Sequence, residues 1–463
     1  MINRAVKREL IGNEGMVILD TVRRLSRRNA VDHLFKLVSK THPADMAWVF
    51  RHLNPTERHN IFGIIAQTSM VGEFLSELDD ALMLEVVEDL PPRFMVTIIN
   101  DMPSDDAADL LEAIPEKFAN KIRELMGKED RKEVDDLLQY HPETAGGRMS
   151  PDFMALDENL TVGDAIKRVQ DRSEEMEMAF YLYITHGDDG RLAGVLSLRE
   201  LLMHPSYRLL KNIMNPKVIS VNTDTDQNDV AHIVSQYNIL AVPVVDSNYK
   251  LVGIVTVDDI IDVIREEATE EFLQMAGAGK DREILLKPTM KNAMLRAPWL
   301  MATWVGGIVN ILVINHFHGE LQKVLALASF MPIVAGMGGN IGNQSSTIVV
   351  RGLATGRINI QEVAKLVFKE MRVGLILGSF YGVFLGLFAH FNNSGGPALF
   401  GLVVGLAIVF SMTLAATVGT VVPLILRRLD IDTAIATGPF VTTTIDTISI
   451  ATFFITAKLI LNL

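Results

Sequence analysis

"GPFVTTTIDTISIATFF", residues 438–454, sets one carboxylate, Asp446, in the middle of a segment otherwise suited to lipid. The nearest charged neighbours along the chain are Asp432 and Lys458. A charge at the centre of a bilayer costs at least about 2.5–3.5 kcal/mol on insertion scales, so it faces a wet cavity, finds a partner, or is protonated. No Lys or Arg inside the apolar stretches can pair with it. Two readings fit: a protonated Asp bonded between helices, or a cation pathway. On a helix Thr442, Thr443, Asp446 and Ser449 share a face. Gly438-Pro439, one turn earlier, makes a break that frees carbonyls toward a cavity. These neighbours favour the cation pathway, although Thr hydroxyls can also bond their own backbone.

Five apolar stretches occupy the last third of the chain, at about 298–317, 324–350, 373–391, 399–426 and 433–461. Each has about 19 residues or more, enough for a ~30 Å hydrocarbon core at 1.5 Å per residue. Asp446 is the one acidic residue expected within them. Lys and Arg gather in the second and fourth connections, so the positive-inside rule puts those loops and the N-terminal part in the cytosol, with the C-terminus outside. Lys458 sits where it can snorkel to the interface.

The second stretch carries "GMGGNIGNQSST", 336–347. Gly336, Asn340, Asn343, Gln344 and Thr347 fall roughly on one face. Small residues let helices approach and amides bond across them, so packing glue is one reading and a pore wall the other. The cluster as a whole favours the pore wall. Gly374, Gly378, Gly382 and Gly386 in the third stretch make a small-residue packing seam. One carboxylate does not balance a divalent ion. Two chains about a twofold axis would bring two Asp446 together, which suits a mostly hydrated Mg2+. The expectation is a homodimer with a central pore.

The remainder is a different material. The chain has 463 residues, no cysteine and a net charge of −13, with a mean hydropathy of +0.24. From Ala297 onward nine Lys and Arg face six Asp and Glu, so the preceding residues carry −16. That acidity argues against nucleic acid and anionic lipid as partners and suits cations. Without thiolates, ion chemistry falls to oxygen or imidazole. The first fifteen residues lack the apolar core of a signal peptide.

From about 20 to 140 short amphipathic helices alternate with Pro-rich turns, as in a helical array or an ordinary bundle. Residues 142–268 hold a duplication. "MSPDFMALDENLTVGDAI" from Met149 answers "MNPKVISVNTDTDQNDVA" from Met214, and "LAGVLSLREL" from Leu192 answers "LVGIVTVDDI" from Leu251. The paired layout resembles tandem CBS domains, small α/β modules. That resemblance implies a nucleotide site, with Thr256 and Asp258 offering donor and acceptors to a ribose. The first copy has "GVLSLRE" there, so one good site per chain is expected.

The connector that follows is acidic. Asp259, Asp262, Glu266 and Glu270 line up at helical spacing, and like charges so placed repel without a counterion. A solvated face is one reading and a cation-sensing face the other. In "PSDDAADLL", Ser104 suits an N-cap and Asp105 and Asp109 follow it; capping and cation binding are both open. His316 and His318 suit a plain outer loop better than metal capture.

The order of parts, with "GMGGNIGNQ" and "GPFVTTTID", is similar to the MgtE family of bacterial magnesium channels over the whole chain. The resemblance implies a multidomain α, α/β and membrane fold. Residues 1–140 would be an N-terminal helical superhelix, 141–263 the CBS pair, 264–296 a connecting plug helix and 297–463 a five-helix pore domain. It implies a non-enzymatic, Mg2+-selective homodimeric channel in the bacterial inner membrane, closed by cytosolic Mg2+ and tuned by ATP. Asp446 looks like the family's pore aspartate, with Gly438, Thr442, Thr443, Asn340, Asn343 and Gln344 as lining candidates. Asp105, Asp109, Asp226, Asp259, Asp262, Glu267, Glu270 and Glu271 match positions of its regulatory acidic sites. Family members carry Asn at the position of Gly438 and acids at those of Asn228 and Asn238. A carrier of Mn2+ or Co2+ is the alternative; oxygen donors argue against Zn2+. An intramembrane aspartyl protease needs a carboxylate pair, which the five stretches do not offer.

Overall fold

The computed structural model describes residues 2–462 except 89, 172–179, 280–283, 285–286, 356–357, 359–362, 393–396, 430 and 434–437. The chain divides into two compact units, Met1–Arg265 and Glu266–Leu463.

The first unit opens with α1 (Ile2–Arg27), α2 (Val31–Val38), α3 (Pro43–Arg51), α4 (Pro55–Ile65), α5 (Val71–Ser76), α6 (Asp80–Val87), α7 (Pro92–Asn100), α8 (Ser104–Ala113), α9 (Glu116–Leu125) and α10 (Lys128–Leu137). Proline supplies the punctuation. Pro43, Pro55 and Pro92 stand in the first turn of their helices, where a missing N–H costs nothing. The stacking is next-but-one: α1 on α3, α3 on α5, α5 on α7, α7 on α9, and in the other row α2 on α4 and α4 on α6. That is the helical array of the two sequence readings. Phe50 and Phe74 meet edge to face at 5.2 Å in its core.

The duplication follows as β1 (Ala155–Asp157), α11 (Val162–Asp171), β2 (Tyr181–His186), β3 (Arg191–Ser197) and α12 (Leu198–Met203), then β4 (Val221–Asn222), α13 (Gln227–Tyr237), β5 (Ala241–Val245), β6 (Leu251–Thr256) and α14 (Val257–Met275). In each copy the first strand runs parallel to the second and the second antiparallel to the third. Even the irregularity repeats, between Ile184 and Thr185 and between Val244 and Val245. The copies exchange side chains. A Cβ on Gly253 would lie 2.6 Å from Met149 Sδ, and one on Gly194 2.6 Å from Met214 Sδ. The two methionines that begin the repeats thus fill each other's grooves, and only glycine leaves those grooves open.

The second unit takes the end of α14 and five long helices with one short one: α15 (Thr289–His316), α16 (His318–Lys323), α17 (Ala326–Ala354), α18 (Val363–Asn392), α19 (Phe400–Arg428) and α20 (Pro439–Leu461). Four of the long helices, α15, α18, α19 and α20, are long and apolar enough to cross a membrane. The fifth stretch is α17, 29 residues long. Its Gly, Asn, Gln and Ser make it less apolar than the rest. Gly374, Gly378, Gly382 and Gly386 of α18 press on α19, where Gly401 and Gly405 answer them. A Cβ on Gly382 would stand 2.6 Å from the Gly405 carbonyl and one on Gly386 2.8 Å from that of Gly401. The backbones touch because no side chain separates them.

Helix α18 begins ten residues before the apolar stretch read from sequence, so it takes in Glu370. That corrects the expectation of a single acidic residue in the bundle: Glu370 is 6 % exposed.

Candidate functional site

Asp446 lies two turns into α20, half-buried. Its carboxylate packs over Gly339 of α17, where an added Cβ would lie 2.9 Å from Oδ1 and 3.6 Å from Thr442 Cγ2. The glycine-rich motif and the lone carboxylate, about a hundred residues apart, form one site. The amide-bearing face of α17 is open: Gly336, Asn340, Gln344 and Thr347 are exposed. Asn343 is part-buried and its Oδ1 is enclosed without a hydrogen-bond donor.

The expectation that Thr442, Thr443, Asp446 and Ser449 share one face is corrected in part. Thr442 and Asp446 face Gly339. Thr443 turns to α15, its methyl 2.5 Å from the Cβ position of Gly306, and its hydroxyl bonds the Pro439 carbonyl. Thr447 continues that contact, donating to Asn310 Oδ1 at 2.5 Å. Ser449 is fully buried between α17 and α19, beside Gly338 and Ser411. A helix turns 100° per residue, so residues three apart are 60° out of line and neighbouring helices divide them.

Gly438 is the N-cap of α20 with no side-chain cap. It packs against the end of α14: its Cβ position is 3.4 Å from the Gln274 carbonyl. Gly277, at φ +71, approaches Pro439 so closely that a Cβ would lie 2.8 Å from Cδ. Residues 434–437, part of the expected fifth stretch, lie outside the described residues.

The connector acids divide. Glu271 receives Arg351 Nη1 at 3.1 Å, tying α14 to the last turn of α17. It was expected as a cation ligand; its partner is a guanidinium. Asp262 pairs with Arg265 at 3.1 Å in full exposure, and Glu267 and Glu270 stay part-exposed on α14. Asp226 caps α13, accepting from the Asn228 N–H at 2.8 Å. Asn238 ends that helix at φ 52, a left-handed position that Asn tolerates better than most residues. At the far end Lys458, expected to snorkel, donates to Glu320 at 2.7 Å. His316 packs edge-on against Phe317, and His318 lies 2.9 Å from the Gln322 amide.

Within the first unit, α8 and the start of α14 bring acids together. Asp259 accepts from the Thr256 N–H at 3.3 Å and from the Thr256 hydroxyl. Ser197 and Glu200 make the corresponding capping box in the first copy. Thr256 is therefore buried and engaged, while Asp258 is exposed. Burial raises Asp259 to about 6, with Asp258 and Asp106 adding to the rise. Asp109 is raised to about 6 by the protein packed around it; Arg148 opposes the rise, and Asp106, Glu112 and Asp259 add to it. It keeps 51 % of its side-chain surface and meets Arg148 at 3.3 Å. Asp106 is raised by burial, by Asp258 and by Glu73 against a bond from Ser76. Asp105 is part-buried on the same helix. Asp106 and Arg148 were absent from the sequence reading. Among the described residues no group of three His, Asp or Glu is assembled as a metal cage, but the donors at this junction are oxygens whose mutual repulsion a hard cation relieves.

Residues 331–456 match the MgtE family of divalent cation transporters, 41–143 the MgtE intracellular N domain, and 145–207 and 210–266 CBS domains. The chain is 35 % identical to the magnesium transporter MgtE of Thermus thermophilus, over 93 % of this chain and 95 % of that one. It is 32 % identical to MgtE of Bacillus subtilis, over 93 % and 94 %. Among solved structures it is similar to the cytosolic domain of the Mg2+ channel MgtE in complex with ATP, at 32 % identity and a TM-score of 0.50, covering 53 % of this chain and 99 % of that one.

Proposed function

The chain belongs to the MgtE family, and from that premise we propose that it is a homodimeric, Mg2+-selective channel for magnesium uptake across the bacterial inner membrane. The observation that carries the reading is Asp446 held over Gly339, an acid kept in a bundle of apolar helices. An acid at that depth, half-open beside the amide-bearing face of α17, is where a charged passenger would be met. The hydroxyl of Thr442 and the amide carbonyls of Asn340, Asn343 and Gln344 are the oxygen donors that a hard, largely hydrated ion prefers. Two Asp446 across a twofold axis match a divalent charge. Helix α15 has no buried residue within one chain, which leaves its apolar surface for lipid or a second copy.

Cytosolic Mg2+ closes the channel by relieving repulsion among Asp106, Asp109, Asp258 and Asp259 and along the acidic α14, whose end meets α17 and α20. The N-terminal unit lies in the cytosol and the C-terminus outside. ATP modulates gating through the CBS pair; the support is the ATP-bound cytosolic domain to which this chain is similar. Transport of Mn2+ or Co2+ is the second reading, since the same oxygens accept them.

The test is Mg2+ flux into proteoliposomes by wild type and Asp446→Asn, with folding and dimerisation verified. Loss of flux in the variant supports the pathway; wild-type flux rejects it. Competition by Mn2+ and Co2+ in the same assay decides between the cations.

A further inference from the structure

Glu370 is a second acid within the long apolar helices, and the pathway described above does not use it. It is 6 % exposed, and Ser345 Oγ of α17, itself 2 % exposed, donates to its Oε2 at 2.9 Å. Helix α18 packs along α19, whereas α17 packs along α19 and α20. Glu370 reaches past that seam to hold α17 directly.

Helix α17 has reason to need holding. It contains Pro332, which breaks the backbone ladder, and glycines at 336, 338, 339 and 342, each costing about 1 kcal/mol of helix preference relative to Ala. Gly338, Gly342 and Ser345 follow one another along its buried face. Gly338 meets Ser411 and Ser449; Gly342 meets Ile445 and the Ala415 carbonyl. Glycine contacts place a helix close to its neighbours but do little to fix its rotation. The Ser345 hydroxyl is a directional contact on that face. A turn of roughly 20° about the axis carries side-chain tips about 5 Å out by roughly 2 Å. Such a turn would move Asn340 and Gln344 on the open face and slide Gly339 from beneath Asp446.

We infer that Glu370 is a positioning residue that, through Ser345, sets the rotation of α17 and with it the ion discrimination of the Asp446 site. This inference rests on the reading of Asp446 as the pathway carboxylate. Glutamine at 370 keeps the acceptor without the charge; alanine at 370 or 345 removes the bond.

The experiment measures Mg2+ flux and the Mg2+-over-Ca2+ ratio in proteoliposomes, per folded dimer, for Ser345→Ala, Glu370→Ala, their double variant, Glu370→Gln and Asp446→Asn. Ser345→Ala and Glu370→Ala are expected to lower the ratio by between roughly tenfold and a hundredfold, the effect of an ångström-scale misplacement. The double variant should be no worse than either, and Glu370→Gln should stay near wild type. Should Glu370→Ala fail to fold, Ser345→Ala, which loses one oxygen, carries the comparison alone. A wild-type ratio in Ser345→Ala, or a Glu370→Gln variant as poor as Glu370→Ala, overturns the inference while Asp446→Asn remains inactive. Flux through Asp446→Asn overturns the pathway reading, and this inference falls with it.

Discussion

Gly339 and Asp446 occupy one space: the carboxylate of the second fills the volume that a side chain on the first would need. The contact turns two separate motifs into a single site. It also makes the glycine as specific a requirement as the acid.

Gly339→Ala is therefore expected to abolish Mg2+ flux much as Asp446→Asn does, although alanine is the better helix former by about 1 kcal/mol. Gly307 of α15 is the control. An added methyl there meets nothing within 4 Å, so Gly307→Ala should fold and conduct normally. Equal flux in the two variants would show that the close approach does not matter to conduction.

Arg351 and Glu271 join the connector to the end of α17. Reversing one charge, as in Arg351→Glu, places two acids together and should weaken the hold of α14. The expected outcome is flux that persists at internal Mg2+ levels that close the wild type. Restoring the pair in reverse, Arg351→Glu with Glu271→Arg, should restore closure. Flux measured against internal Mg2+ checks both; a double variant no better than the single one contradicts the pairing.

Asp109 and Asp259 each titrate near 6 where α8 meets α14, against the usual 3.8. The packed form therefore holds protons that the separated form has already lost between about pH 4 and 6. Without Mg2+ the junction should weaken as pH rises across that window and level off above it. Mg2+ should bind best above pH 6, where no proton has to leave. Limited proteolysis of the whole protein across pH, with and without Mg2+, reads this out. Asp259→Asn should flatten part of the slope.

Thr256 and Asp259 start α14 as Ser197 and Glu200 start α12. Thr256→Ala removes the hydroxyl that donates to the part-buried Asp259 carboxylate and should cost about 1 kcal/mol, the usual net worth of one hydrogen bond, seen as a lower midpoint in thermal unfolding of the first unit. Ser197→Ala should cost a similar amount. A far larger loss at Thr256 alone would mean that its hydroxyl does more than hold Asp259.

Much of this was legible in the chain. Apolar runs of about 19 residues or more announce spanning helices whatever they pack against, and a duplication announces its own fold. Asp446 stood out because nothing charged surrounds it. Glu370 was hidden for the opposite reason. Lys365, Lys369 and Arg372 flank it, so the segment reads as a basic loop, and only the helix phase turns the acid inward. The pairs 197/200 and 256/259 lie three residues apart, yet the sequence suggested Thr256 and Asp258 as a ribose site, and only the structure joins Thr256 to Asp259. Arg148 with Asp109, and Arg351 with Glu271, were not legible, because contacts across 39 and 80 residues leave no local trace. The division of Thr442 from Thr443 needed the neighbouring helices.

The crossed methionines of the CBS pair have a consequence of their own. Each repeat lacks a wall that the other provides, so neither is a finished object and the duplication cannot be trimmed to one copy. The lock joins the start of each repeat to the glycine that opens "GVLSLRE" or "GIVTVDD" in the other, Gly194 or Gly253. The position that the two segments share is the one the lock uses, and they diverge in charge only at their far ends, Arg199-Glu200 against Asp258-Asp259. The far ends of the two segments can therefore differ while the pair still closes around the same two sulfur atoms.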